Sequence, residues 1–132
     1  MDDGRKRELT SHKVNGLNDA IDIAVLDEPG PGNACHRYVI YAPNDTVNQE
    51  LNASVACHIN FQNGAILEAG MNGISNEALL AVVEDRLRGF QSGPYACREN
   101  ACALTKIQEA MHWLHHRTRE RVQRGVEGTM AK

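Results

Sequence analysis

Two helix-like patterns separated by a short Gly-Pro turn constrain the fold of this chain more than any other feature. The first begins after Ser75, a residue suited to cap a helix, and repeats apolar side chains at helical spacing as far as Phe90. The second runs from about residue 96 to residue 124, with a seam formed by Asn100, Leu104, Ile107, Met111, Leu114 and Thr118. Because Ser92-Gly93-Pro94 ends the first helix, so short a connection predicts an antiparallel helical hairpin.

The first half of the chain shows strand patterns instead. Apolar, β-branched and aromatic runs predict strands over residues 22–27, 34–42 and 54–61, with a short return strand over 65–68 after Asn63-Gly64. The fold class predicted is therefore α+β, with a small N-terminal, mainly antiparallel β-sheet followed by a C-terminal antiparallel two-helix hairpin. We expect one domain overall, divided into a flexible tail (1–12), a β-sheet region (13–72) and the helical hairpin with a short C-terminal tail (73–132).

Composition limits the classes of partner. The chain has 132 residues, of which 42% are hydrophobic, enough for one domain with a core. A net charge of -3 argues against duplex DNA or an anionic membrane as the main partner. No apolar run approaches the roughly 20 residues that span a bilayer, and the charged start lacks the apolar segment of a secretory signal. We therefore expect a cytoplasmic protein whose cysteines are reduced, namely Cys35, Cys57, Cys97 and Cys102.

The hairpin turn is the first candidate site, because it brings an aromatic ring, a guanidinium and an amide to one end of the hairpin. Phe90 could stack on a base, Asn100 could read a base edge, and Arg98 could bind phosphate. The simpler interpretation makes Phe90 a core residue, Asn100 an amide that caps the helix or satisfies the turn, and Arg98 part of a solvated first turn. Both interpretations are open on the sequence alone.

A basic cluster near residue 120 is the second candidate, formed by His115, His116, Arg117, Arg119, Arg121 and Arg124. Cations there complement the dipole at the end of a helix, and arginines also suit phosphate recognition. Arg117 follows Asn100 by 17 residues, which is roughly 25 Å along a helix. A nucleotide-sized ligand cannot touch both within one chain, so a site that uses both must lie between protomers.

The sequence gives little support for a metal site or a catalytic site. His112, His115 and His116 are close enough in sequence to hold zinc, but a His-Glu-x-x-His pattern and a cysteine pair at ligand spacing are absent. A nucleophile elbow, a phosphate-binding glycine loop and a paired His-x-Thr signature are absent as well. We therefore predict no metal, no cofactor and no catalytic residue.

A series of short motifs occurs in order along the chain: His12–Asn15, Asp27–Gly30, Ala34–Tyr38, Ile59–Gly64, Gly73–Leu80, Phe90–Leu104, Arg117–Thr118 and Gly125–Thr129. Together they resemble the bacteriophage Thoeris anti-defence sponge family, whose helical hairpin is shared with the phage anti-CBASS sponge proteins. The resemblance implies a small α+β protein that assembles through its hairpins, as a dimer or a trimer of dimers, in the cytoplasm of the infected bacterial host.

The resemblance also implies a ligand. Members of the family bind and sequester cyclic ADP-ribose isomers without cleaving them, and some hold cyclic di- or trinucleotides in separate pockets. Carried over, Phe90 stacks on adenine and Asn100 bonds its edge, while Arg117 of the neighbouring chain and Arg37 hold the diphosphate. Four further candidate ligand-binding residues are Met71, Asn72, Arg98 and Arg121. The alternatives are an enzyme that degrades such a signal, or a structural or adaptor oligomer without a small ligand.

Overall fold

The computed structural model describes residues 4–44 and 53–131. Their contacts divide the chain into two compact units, Met1–Asn63 and Gly64–Lys132. The first unit contains the sheet and the second contains the long helices, so the predicted α+β class is confirmed. The division falls nine residues before the boundary expected after residue 72, and the grouping of both units into one domain stays a prediction.

The first unit is a four-stranded antiparallel sheet whose strands follow one another in chain order. The strands are β1 (Arg7–Leu9), β2 (Asp22–Val25), β3 (Arg37–Asn44) and β4 (Ala53–Asn60). A short helix, α1 (Gly16–Ala20), connects β1 to β2, and its first turn is capped by Asn15 Oδ1, which accepts from the Asn18 N–H at 2.9 Å. Val25 and Val39, on adjacent strands, are fully buried and form the centre of this unit's small core.

The predicted flexible tail over residues 1–12 is wrong where β1 forms. Arg7 pairs with Val25 and Leu9 pairs with Ile23, so this segment is an edge strand of the sheet. Its charged side chains carry no strand pattern, because an edge strand is held by backbone bonds to its neighbour rather than by burial of one face. Residues 1–3 of the predicted tail lie outside the described residues.

The second unit contains α2 (Ile66–Ala69), α3 (Asn76–Gln91) and α4 (Arg98–Gln123). The return strand predicted over residues 65–68 is wrong, since α2 occupies that segment. Gly64 does form a turn, with φ of 88°, but the Leu67 N–H then donates to the Gly128 carbonyl at 3.1 Å. This bond joins α2 to the C-terminal segment, a partner too distant in sequence for a local pattern to indicate.

Local capping explains where the two long helices begin and end. Ser75 Oγ accepts from the Ala78 N–H at 3.1 Å and so caps α3, as predicted. After α4, Gly125 has φ of 73°, its N–H donates to Val122 O, and the Val126 N–H donates to Arg121 O. This pair of bonds is a Schellman motif, which requires a residue that tolerates a positive φ.

α3 and α4 pack against each other as a hairpin, and the predicted seam of α4 is half-buried along its length. Within the described residues, α3 buries no side chain and α4 buries only Arg121. Large apolar side chains on the outer faces stay exposed, including Val82 and Trp113, each 66% exposed. One hairpin alone therefore leaves much of its apolar surface in water. Among the described helices, none has both the length and the apolarity needed to cross a bilayer.

Candidate ligand-binding site

The turn between α3 and α4 is closed by its own hydrogen bonds. The Gly93 N–H donates to Phe90 O at 3.2 Å and the Ala96 N–H donates to Gly93 O at 3.3 Å. The side chain of Gln91 completes the turn, because its Oε1 accepts from the Cys97 N–H at 3.1 Å. These bonds fix the last turn of α3 relative to the first turn of α4.

Phe90 and Asn100 lie on either side of this turn, and both are half-buried. The helix cap is provided by Cys97, whose Sγ accepts from the Asn100 N–H at 3.4 Å. The interpretation of Asn100 as the capping amide is therefore wrong. Its carboxamide is not the group that caps the start of α4, which leaves it compatible with a contact to a base edge.

Arg117 lies far from that tip. Because α4 is one continuous helix over Arg98–Gln123, the separation of Asn100 and Arg117 keeps its helical value of about 25 Å. Arg117 is exposed and lines an open cavity of about 330 Å³ together with Glu120, Arg121 and Arg124. Three guanidinium groups and one carboxylate give the lining of this cavity a net positive charge, which suits an anionic ligand group.

Arg121 differs from Arg117 in being only 6% exposed. Its guanidinium donates to three backbone carbonyls of the segment after α4, those of Val126, Thr129 and Ala131, at 3.0, 3.1 and 2.5 Å. Its Nε also lies 3.6 Å from Glu127 Oε2. These contacts hold the C-terminal segment against the end of α4. The ligand role of Arg121 stays a prediction.

Arg37 belongs to the first unit, as the first residue of β3, and its side chain is exposed. Its backbone is held by Asp27, whose carboxylate accepts from the N–H groups of His36 at 2.9 Å and Arg37 at 3.1 Å. Partial burial acts to raise the pKa of Asp27, but these backbone hydrogen bonds outweigh it and the pKa lies below its usual value of 3.8. The charged carboxylate thus fixes the backbone from which Arg37 projects.

The remaining predicted ligand-binding residues are accessible. Met71 is 84% exposed and Asn72 is exposed, both between α2 and α3. Arg98 is the exposed first residue of α4, near the turn. Their ligand roles stay predictions.

Two of the three histidines of α4 contact an indole. His112 and His116 contact Trp113 edge-on, with ring centroids 5.6 and 5.9 Å from that of the indole. Over residues 4–44 and 53–131, no three side chains of His, Cys, Asp or Glu come together as metal ligands. The four cysteines carry free thiols.

Two arginine roles were missed by reasoning from the sequence. Arg121 follows Thr118 by three residues and so continues the seam of α4, a register that could have indicated burial. Arg86 precedes Phe90 by four residues, and its guanidinium lies over the Phe90 ring with Cζ 5.0 Å from the ring centroid. Their spacing of one helical turn is the sequence feature that could have indicated this contact.

The sheet, the two-helix hairpin and its polar tip define a class of small α+β hairpin proteins. The family described as Acb2/Tad1, hairpin domain, matches residues 53–119, and the chain belongs to that family. The chain is also similar to "Thoeris anti-defense 1" of Bacillus phage SBSphiJ7, with 55% identity over 74 residues. That alignment covers 56% of this chain and 52% of the relative, so the chain spans about half the length of the curated relative it matches. The resemblance read from the motifs is confirmed at the level of the family.

Proposed function

We propose that this chain is a phage anti-defence protein that binds cyclic ADP-ribose-type immune signals and sequesters them without cleavage, in the cytoplasm of the infected host. Family membership and the name of the phage relative support an anti-defence role. The observation that carries the proposal is the hairpin tip, where a half-buried aromatic ring and an amide not used as the helix cap flank a closed turn. A ring face and an amide are the groups that recognise a purine base.

The site is proposed to be shared between two copies of the chain. Phe90 and Asn100 of one copy meet Arg117 of the other, because about 25 Å of helix separates Asn100 from Arg117 within each copy. The exposed apolar faces of the hairpin favour a second copy of the same chain as the partner, as a dimer or a trimer of dimers. Arg37, Met71 and Asn72 join the proposed set on the basis of the resemblance. Arg98 joins it as a cation next to the turn, and Arg121 as a member of the basic cluster.

The expected affinity is sufficient for sequestration. Stacking contributes about 1–3 kcal/mol per base, and each charge-assisted hydrogen bond to phosphate contributes about 1.5–3 kcal/mol. Capture requires that binding sites outnumber the signal molecules and that the dissociation constant lies below the signal concentration that triggers the host effector. A reactive group is unnecessary, so the mechanism is binding alone.

Capture and release of the intact signal tests this function. The purified protein is incubated with a panel of cyclic ADP-ribose isomers and cyclic di- and trinucleotides, freed of unbound ligand, and heated. We expect mass spectrometry to recover a cyclic ADP-ribose isomer unchanged, and the same isomer to raise the melting temperature, because a ligand of the folded state stabilises it. Chemically altered ligand would identify an enzyme, and no bound ligand or thermal shift would favour an adaptor without a small ligand.

A further inference from the structure

Arg86 and Phe90 form a pair on α3 that the proposed function does not use. The guanidinium carbon of Arg86 lies 5.0 Å from the centroid of the Phe90 ring, one helical turn away. Arg86 is exposed and Phe90 is half-buried. The guanidinium therefore lies over one face of the ring on which a base is proposed to stack.

The next arginine along the helix has a different environment. Arg88 Nη2 lies 3.6 Å from Glu84 Oε2, one turn away, as an ordinary surface ion pair. No ion pair or hydrogen bond accompanies the ring contact of Arg86 among the residues that the structure describes. The N–H groups of the Arg86 guanidinium are therefore available to an incoming acceptor.

We propose that Arg86 is a further ligand-binding residue of the hairpin tip: it covers the Phe90 ring in the unloaded protein and contacts a phosphate of the ligand once a base has replaced it. The inference rests on the proposed function and adds a cation from the same chain that supplies Phe90. A base cannot reach the covered face unless Arg86 moves, and a side chain anchored one turn away stays within reach of the ligand. A guanidinium suits phosphate because its planar N–H groups match two phosphate oxygens.

Replacing the Arg86 guanidinium by a base on the Phe90 ring lowers the free energy of the complex. A cation over an aromatic ring at an exposed site is worth about 2- to 5-fold in an equilibrium constant. Base stacking on a protein aromatic is worth about 5- to 150-fold. The base therefore displaces the guanidinium, and the new phosphate contact adds to the gain.

Two ligands separate the two roles of Arg86. Cyclic ADP-ribose presents a base and a diphosphate, whereas adenosine presents the base alone. In Arg86→Ala, we expect affinity for a cyclic ADP-ribose isomer that the wild-type protein binds to fall by about 2- to 50-fold, because the loss of a charged hydrogen-bond partner, about 10- to 100-fold, is offset in part by release of the ring face, about 2- to 5-fold. Affinity for adenosine should rise by about 2- to 5-fold, because its competitor for the ring face is gone.

Arg88→Ala is the matched control, since it removes the same charge two positions away and should change either affinity by less than about 2-fold. Titration calorimetry on the full chain measures both ligands, and size-exclusion chromatography checks that the oligomer is unchanged. Equal affinities in Arg86→Ala and the wild-type protein, or a parallel loss for both ligands, would overturn the role of Arg86 while leaving the proposed function intact. Absence of cyclic ADP-ribose binding by the wild-type protein would overturn both.

Discussion

Phe90→Ala is expected to lower the affinity for the captured cyclic nucleotide by about 10- to 100-fold, because the stacking face for the base is lost. Arg117→Ala is expected to have an effect of similar size, because it removes a charged hydrogen-bond donor from the diphosphate. Titration calorimetry with the cyclic ADP-ribose isomer that binds the wild-type protein measures both losses. The two residues lie at opposite ends of the hairpin. A similar loss of affinity in both variants would therefore support a site shared between two copies of the chain.

Conservative variants separate recognition from folding. Phe90→Tyr keeps the aromatic face and should keep most of the affinity, whereas Phe90→Leu keeps apolar bulk and should lose it. Arg119→Ala removes an exposed arginine that does not line the cavity of Arg117, and it should bind as the wild-type protein does. Chromatographic size should stay unchanged in all of these variants. Wild-type affinity in Phe90→Ala would show that the ring is only a packing residue of the hairpin.

Arg121→Ala is expected to lower the free energy of unfolding by about 3 kcal/mol, because it removes a buried guanidinium that donates to three backbone carbonyls. The carbonyls of Thr129 and Ala131 lose the Arg121 donor, whereas the Val126 carbonyl keeps its bonds from the Thr129 N–H and hydroxyl. Urea unfolding monitored by circular dichroism measures the change. Protease cleavage after residue 124 should also accelerate, because the C-terminal segment loses its anchor.

Arg117→Ala is the control for this second prediction, since an exposed arginine of the same helix should change the free energy of unfolding by less than about 0.5 kcal/mol. Arg121→Lys should recover only part of the stability, because an ammonium group lacks the planar fork that reaches several carbonyls. Equal destabilisation by Arg117→Ala and Arg121→Ala would contradict the distinction between an exposed and a buried arginine. The two variants thus separate a predicted ligand contact from a structural residue.

Local sequence patterns were sufficient to predict the helical hairpin. Ser75 caps α3 as predicted, and Gly125 follows α4 next to the predicted end at residue 124, because each acts through its own backbone conformation and its nearest neighbours. The half-buried seam of α4 also follows from residue spacing alone. The turn between the helices agrees as well, since Gly93 and Pro94 leave few alternatives.

Non-local contacts explain the errors. Asn63-Gly64 correctly indicates a turn, but the conformation of the next segment depends on the bond between Leu67 and Gly128, which are 61 residues apart. The strand at Arg7–Leu9 depends in the same way on β2, and its charged residues give no pattern of burial. In both segments the partner, and not the local sequence, decides the conformation.

For the candidate site, the sequence indicated which residue types are present. The structure showed that residues of the same type differ in exposure and hydrogen bonding. Arg117 and Arg121 are equivalent as members of a basic cluster, yet one is exposed and the other donates to three carbonyls. Asn100 was ambiguous until the cap was found at Cys97, since cysteine is not among the residues favoured there. Which copy supplies each ligand contact stays a prediction.

The most direct test of a shared site mixes two variants of weakened affinity. Phe90→Ala and Arg117→Ala chains are co-expressed in equal amounts, and calorimetry measures the number of sites per chain that bind with wild-type affinity. Random mixing should restore about one quarter of the wild-type sites, because a site with Phe90 from one copy and Arg117 from the other is then intact. A mixture that binds no more ligand than either variant alone would contradict the account, because it would place both residues of a site in one chain.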